Sequence, residues 1–402
     1  MKVLIVGASL SGLRTAQALR SGGFDGDITL AGAEPHLPYD RPPLSKQLLV
    51  GTKTRADVDL EDEETLAALE LDLQTGVWAT GLDVAGGAVE LGGRRVGFDQ
   101  LVIATGARPR RLPFGAGLRG VHTLRAVEDC ASIGAAMAAG SGVVVIGGGF
   151  IGCEVASAAV AKGLPTTLLE ILPTPLFQSL GPEIGEMVAG MQREAGIEVI
   201  CGHEARALID DGRGVVAGVE LDDGRRLPAG LVVVGVGVTP ETGWLETSGL
   251  ALDNGVVCDD RLRASGHDHI RAVGDVARWD HPRLGRPVRV EHWTNAAESA
   301  AHAAAGILGS DEVYGPVPYV WSDQLGHRIQ TLGLPLTGDH LEIVHRQAGA
   351  KGEKLVGLYR HEGRLSAAVG IDFPGRLMRY RDLLEAGTVW DEALDFAAGL
   401  DA

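Results

Sequence analysis

Two stretches of this chain repeat one pattern. VLIVGASLSGLRTAQALRSGG begins at Val3, and VVVIGGGFIGCEVASAAVAKG begins at Val143. Each opens on a four-residue apolar run, passes through a glycine turn, and continues with small and apolar side chains at helical spacing. A short apolar run without polar alternation reads as a strand buried on both faces. Each copy then reaches a second strand, ending at Glu34 in the first and at Glu170 in the second. Strands alternating with helices build a parallel, doubly wound sheet, so the repeat predicts an α/β chain with two such sheets.

The segments around the repeat complete each copy. Val77 to Gly106 reads as strands with glycine turns and closes on LVIATG, while LVVVGVGVTP (Leu231 to Pro240) closes the second copy. IRAVGDVA (Ile270 to Ala277) is a further closing strand with no glycine fingerprint of its own. The simplest arrangement inserts the second fold into the first. The expected domains are 1–112 with 244–318, then 113–243, then a C-terminal α+β domain over 319–402, where apolar and polar residues alternate before a helix-like end.

Gly147, Gly149 and Gly152 match GxGxxG between a strand and a helix, and Glu170 follows eighteen residues after Gly152. This is the context of a Rossmann-like dinucleotide site. The first glycine makes the turn, the second admits a pyrophosphate to the helix N-terminus beside Ile151, and the acid binds a ribose diol. Ile171, Leu172, Pro173 and Thr174 include no cation for a 2′-phosphate, so NADH is preferred over NADPH. In the first copy, Gly7, Ser9, Leu10, Ser11 and Gly12 form the turn, with Ser9 in place of the middle glycine and Glu34 at ribose distance. Two dinucleotides in one chain imply electron passage between them.

Composition narrows the class. With 36 Lys and Arg against 53 Asp and Glu the net charge is −17, which opposes nucleic acid and anionic membrane surfaces. No apolar run approaches the ~18 residues of a spanning helix, and MKVLIVGAS runs straight into a strand, so a cytoplasmic protein is expected. Glycine, at 58 of 402 residues, sits beside Val, Ile and Leu runs, which fits tight turns rather than disorder. The four cysteines (Cys130, Cys153, Cys201 and Cys258) show neither CxxC nor metal-ligand spacing, and no metal site is expected.

EPHLPYDRPPLSK (Glu34 to Lys46), ATGARPR (Ala104 to Arg110), GGGFIGCE (Gly147 to Glu154), GVGVTP (Gly235 to Pro240), AVGDVA (Ala272 to Ala277), VEHWTNA (Val290 to Ala296) and WSDQ (Trp321 to Gln324) follow one another in order. In these motifs the chain resembles the FAD-dependent, NADH-using ferredoxin reductases that serve cytochrome P450 and ring-hydroxylating oxygenase systems, within the glutathione-reductase-like flavoproteins. The resemblance implies an FAD domain in two segments, an NADH domain between them, and a C-terminal domain against the flavin. It also implies hydride transfer from NADH to FAD and single-electron transfer to an iron–sulfur ferredoxin.

By the same resemblance Lys46 and Glu154 are the catalytic pair, Lys46 at the flavin edge and Glu154 orienting the nicotinamide. Asp275, after Gly274, would accept from the ribityl chain. Arg41, Val77, Ala104, Thr105, Gly106, Arg125, Gly237, Trp293 and Trp321 fall at further cofactor positions, the two tryptophans near the isoalloxazine and the electron exit. Relatives with redox thiols carry them after the first fingerprint or near the position of Pro42, Pro43, Leu44 and Ser45; here no Cys precedes Cys130. Electrons are therefore expected to leave the flavin directly.

Ferredoxins are usually acidic, and Arg278, Arg283, Arg286 and Arg289 lie within twelve residues beside only Asp280. Arg283, Arg286 and Arg289 are the expected transient docking residues, on a monomer or weak dimer. A second run, Arg376, Arg379 and Arg381, lies in the C-terminal domain. Two other readings share the nucleotide folds. One is a reductase of small acceptors such as a quinone, monodehydroascorbate or a nitrite reductase module, and the other is an NADH-sensing protein like the apoptosis-inducing flavoproteins.

Overall fold

The computed structural model describes residues 1–401 apart from Thr337 and Lys351. The chain forms two compact units: Met1–Asp40, Ala56–Arg108 and Thr239–Pro318 in the first, and Arg41–Arg55, Pro109–Val238 and Tyr319–Ala402 in the second.

The first unit is built on a five-stranded sheet in the order Ile270–Ala272, Gln100–Ile103, Lys2–Val6, Asp27–Ala31, Asp72–Gln74. Every pairing is parallel, with Val3 opposite both Ile28 and Gln100. Val3, Leu4 and Ile5 are all buried, because helices of a doubly wound fold cover both faces of a central strand. The helix Leu10–Ser21 follows the central strand and packs against Trp293–Ile307. Of the predicted run Ile270 to Ala277 only Ile270–Ala272 joins this sheet. A short 3-10 turn at Gly274–Val276 then redirects the chain into Ala277–His281 of a separate sheet.

The second unit repeats the plan in the order Glu198–Cys201, Thr166–Glu170, Val143–Ile146, Leu231–Val234, Val121–Thr123, again with parallel pairing. The chain leaves the central strand Val143–Ile146 first to one side and later to the other, which opens a crevice at the strands' carboxyl ends. Tyr319–Gln324, His327–Gly333, Arg364–Ile371, Gly352–His361 and His340–Gly349 form an antiparallel sheet in that order, followed by helices ending in Trp390–Asp401. Helix Phe177–Glu194 is broken at Gly181, whose φ of 77° leaves the helical region just before Pro182. The buried Tyr359 hydroxyl donates to the Leu180 carbonyl at this break, at 2.6 Å.

The α/β class with two nucleotide-type sheets and an α+β tail is thus the observed architecture. The turns explain why glycine is required where the repeat has it. Gly7 and Gly147 hold φ of 120° and 107°, and a Cβ on either would stand 2.1 Å from the Ala104 carbonyl oxygen or 2.3 Å from that of Gly235. A Cβ on Gly12 would lie 1.9 Å from the Gly7 carbonyl oxygen, and one on Gly152 would lie 1.9 Å from that of Gly147.

Candidate functional site

In the first unit the close approach of Gly7 to Ala104 brings the predicted Ala104–Gly106 segment beside the fingerprint turn. Thr105 Oγ1 donates to the Glu241 carbonyl at 2.8 Å, and the Glu241 N–H returns to the Gly106 carbonyl at 2.9 Å. A Cβ on Gly274, at φ 68°, would meet Ser11 Oγ at 2.4 Å, so Gly274 and Asp275 also converge on the start of this helix. Glu34 accepts from the Tyr39 hydroxyl. The Val77 N–H bonds the Gly32 carbonyl at 2.8 Å and that of Gly76 bonds the Glu34 carbonyl at 2.9 Å, which sets Val77 beside the acid's loop. Trp293 spends its indole N–H on Asp40 Oδ1 at 2.7 Å.

Helix Leu10–Ser21 starts at Ser9 with no side-chain cap and no acid in its first turn, so its first N–H groups remain available to an anion. Helix Phe150–Ala161 starts at Gly149 in the same way. A Cβ at Gly149 would meet nothing within 4 Å. That open space explains how Ser9 is accommodated at the matching position. Each unit therefore fits a dinucleotide diphosphate.

The second cradle is further organised by Glu170. Its Oε2 accepts from the Gly148 N–H at 2.5 Å and its Oε1 from the Leu172 N–H at 2.8 Å. The acid that the sequence assigns to a ribose thus also locks the glycine loop, and it is 8% exposed. Ile171 and Val236 remain exposed just beyond the carboxyl ends of strands Thr166–Glu170 and Leu231–Val234, Ile151 is exposed in the first turn of helix Phe150–Ala161, and Gly237 turns at φ 93°. Exposed apolar side chains at such a crevice suit a planar base or a ring.

Lys46 and Glu154 meet. Lys46 Nζ lies 2.9 Å from Glu154 Oε2, with side-chain exposures of 12% and 3%. The same oxygen accepts from Ser45 Oγ, and Oε1 accepts from Ser322 Oγ at 2.6 Å. Sequence reasoning did not single out Ser45 or Ser322 as partners of this carboxylate. Arg41 Nη1 donates to the Arg125 carbonyl at 2.6 Å, joining two predicted positions through backbone rather than charge. Trp321 is half-buried and stacks on Tyr319 with centroids 6.0 Å apart.

His292, one residue before Trp293, was also missed. It is the N-cap of helix Trp293–Ile307, and its Nδ1 is buried with no partner among the described residues. Burial pushes the imidazole down to about 4 against the opposing pull of Asp275, so it is neutral at neutral pH.

The arginine cluster needs a correction. Arg289 turns inward, its side chain 8% exposed, donating to the Asp275 carbonyl at 3.1 Å and pairing with Glu291 at 2.7 Å. The carbonyl and carboxylate beside it outcompete water for the guanidinium. Arg278 pairs with Asp253 at 3.1 Å, while Arg283 is exposed and Arg286 half-buried on the strand Arg286–Val288. Arg283 bonds the Gly315 carbonyl through Nε, at 2.7 Å.

All four cysteines are free. Burial pushes the Cys130 and Cys201 thiols up to about 11, that of Cys258 to about 12, and that of Cys153 higher still. Among the described residues one trio, His203, Asp222 and Asp223, has metal-ligand proximity, but Arg225 Nε already lies 2.6 Å from Asp223.

The fold and its paired cradles define a dinucleotide-dependent oxidoreductase. Residues 1–300 match the family described as pyridine nucleotide-disulphide oxidoreductase, and residues 319–398 match the reductase C-terminal family. The chain belongs to the pyridine nucleotide-disulphide oxidoreductases. It is 38% identical over 387 residues to the ferredoxin reductase component of a chlorobenzene dioxygenase from Cupriavidus sp. (strain PS12), covering 96% of this chain and 92% of that one. To rhodocoxin reductase of Rhodococcus erythropolis it is 37% identical over 342 residues, 84% of this chain and 79% of the relative. Putidaredoxin reductase in its covalent complex with putidaredoxin superposes with a TM-score of 0.92 at 31% identity, covering 98% and 95% of the two chains.

Proposed function

We propose that this chain is an NADH-dependent FAD reductase that passes electrons to an iron–sulfur ferredoxin serving a cytochrome P450 or ring-hydroxylating oxygenase. The observation that carries the reading is two dinucleotide cradles in one chain with no cysteine before Cys130, hence none in the turn or helix of the first cradle, which favours a route without a thiol relay. When bound, FAD supplies a centre that takes electrons in pairs from NADH and releases them singly.

The cradle of Gly7 to Gly12, with Glu34, Val77, Ala104 to Gly106, Gly274, Asp275 and Trp293, would hold FAD, in a domain formed by 1–112 and 244–318. The cradle of Gly147 to Gly152 with Glu170 would hold NADH within 113–243, and 319–402 would complete the enzyme. Lys46 contributes a fixed positive charge where negative charge develops on reduction, and Glu154 keeps that ammonium in place and orients the nicotinamide. Among the described residues no helix is long and apolar enough to cross a membrane; a cytoplasmic enzyme, monomeric or weakly dimeric, fits this reading.

Arg283 and Arg286 are the proposed docking residues for the acidic partner. Charge reversal to Glu at both is expected to raise the KM for ferredoxin while leaving the KM for NADH and ferricyanide turnover unchanged. Equal loss with both acceptors would remove them from the docking surface. The reading as a whole is tested by anaerobic stopped-flow mixing with NADH. Rapid flavin bleaching followed by reoxidation with ferredoxin supports it; a polypeptide that is colourless and takes up no flavin overturns it.

A further inference from the structure

Glu154 is held by more than its ion pair. Strand Tyr319–Gln324 sends alternate side chains to opposite faces. Ser322 and Gln324 are 0% and 1% exposed on one face, while Trp321 and Asp323 are half-buried on the other. Ser322 Oγ donates to Glu154 Oε1 at 2.6 Å and accepts from Gln324 Nε2 at 3.0 Å. Gln324 Oε1 in turn accepts from Gln192 Nε2 at 3.1 Å, and Gln192 is fully buried in helix Phe177–Glu194.

Polarity runs one way along this row. A carboxylate only accepts, and a hydroxyl has a single proton, so the Gln324 amide aimed at Ser322 commits that proton to Glu154. The Oε1 of Gln192 has no partner among the described residues, so the side chain acts here through its donated N–H. The other groups facing the carboxylate are few. Lys46 and Ser45 come from the 41–55 segment and Cys153 from its own helix, while the one acid of the neighbouring strand Thr166–Glu170, Glu170, has its oxygens taken by the Gly148 and Leu172 N–H groups. Strands Val143–Ile146 and Leu231–Val234 bring only Val, Ile and Leu, and helix Gln47–Val50 brings no charge.

The geometry points to Ser322, Gln324 and Gln192 as positioning residues that act in series, through the Ser322 hydroxyl, to hold the Glu154 carboxylate in the orientation that faces Lys46. This rests on the proposed reaction at Lys46 and Glu154. The C-terminal strand thereby takes part in the hydride step through the face opposite Trp321.

The test uses the flavin-loaded full chain in two measurements. In stopped flow, Ser322→Ala is expected to lower the limiting rate of flavin bleaching by NADH about tenfold, the scale of one hydrogen bond to a charged group, with the NADH dissociation constant within about twofold of wild type. Ser322→Thr, which keeps the hydroxyl, restores the rate. Gln324→Leu slows the reaction, and the double variant is no slower than Ser322→Ala alone, because both act through one oxygen. Without NADH, the antisymmetric carboxylate stretch of Glu154, assigned by its loss in Glu154→Gln, shifts in Ser322→Ala and returns in Ser322→Thr. A Ser322→Ala rate equal to wild type, additive losses in the double variant, or an unmoved stretch would each overturn the proposal. Wild-type flavin that NADH does not bleach, with the stretch still shifting, would overturn the functional reading and leave the hydrogen-bonded row standing.

Discussion

Lys46 Nζ lies 2.9 Å from Glu154 Oε2 although 108 positions separate the two residues. The pair is nearly dry, and removing one member of such a pair leaves the other charge uncompensated. Lys46→Met is expected to lower stability by about 3 kcal/mol, and Glu154→Gln by less, since the amide can still meet Ser45 and Ser322. Urea unfolding of the two variants checks the order; Glu154→Gln as the more damaging change would refute it.

Glycine at 152 is expected to be irreplaceable for NADH and irrelevant for flavin. Gly152→Ala puts a methyl 1.9 Å from the Gly147 carbonyl oxygen and must distort the second cradle. NADH binding should weaken at least about tenfold, while flavin content stays at wild-type level. Ser9→Gly, at a position whose counterpart faces open space, should change FAD affinity by less than about threefold. Equilibrium titrations of each ligand measure both.

Glu170→Ala deprives the Gly148 and Leu172 N–H groups of their acceptor as well as removing the proposed ribose contact. The expected result is a weakening of NADH binding of about tenfold or more and a smaller gap between NADH and NADPH. An unchanged ratio of the two affinities would show that the carboxylate serves the loop alone.

His292 sets an acid limit on the first unit. Its folded value lies below the free value of 6.5, at about 4, so the folded chain favours the neutral ring and the unfolded chain takes the proton first. The stability this gives is present above about pH 6.5 and is lost as pH falls toward 4, up to on the order of 3 kcal/mol. His292→Asn should flatten the stability of the chain across that window. A variant whose denaturant midpoint falls with acid as steeply as wild type would contradict it.

The sheets and their cradles were legible because glycine spacing, apolar runs and a terminal acid are local signals, and the repeat states them twice. The pairing of Lys46 with Glu154 came through resemblance, since nothing local links a lysine after a proline-rich loop to an acid 108 residues away. Ser45, Ser322, Gln324 and Gln192 carry no composition signal; their roles arise from strand alternation and helix register meeting at one carboxylate. Arg289 misled for the converse reason. A run of arginines reads as a solvated patch, yet the carbonyl of Asp275 and the acid of Glu291 draw this one inward.

The elevated thiols have a bearing on survival under oxidative stress. A sulfur that stays protonated and enclosed is a poor target for hydrogen peroxide, because it is the thiolate that climbs the ladder to sulfenic and sulfinic acids. Cys130, Cys153 and Cys258 are all buried in this way. Cys201 is half-buried and protected by its raised pKa alone, so alkylating reagents should react there first and leave the three enclosed thiols unmodified.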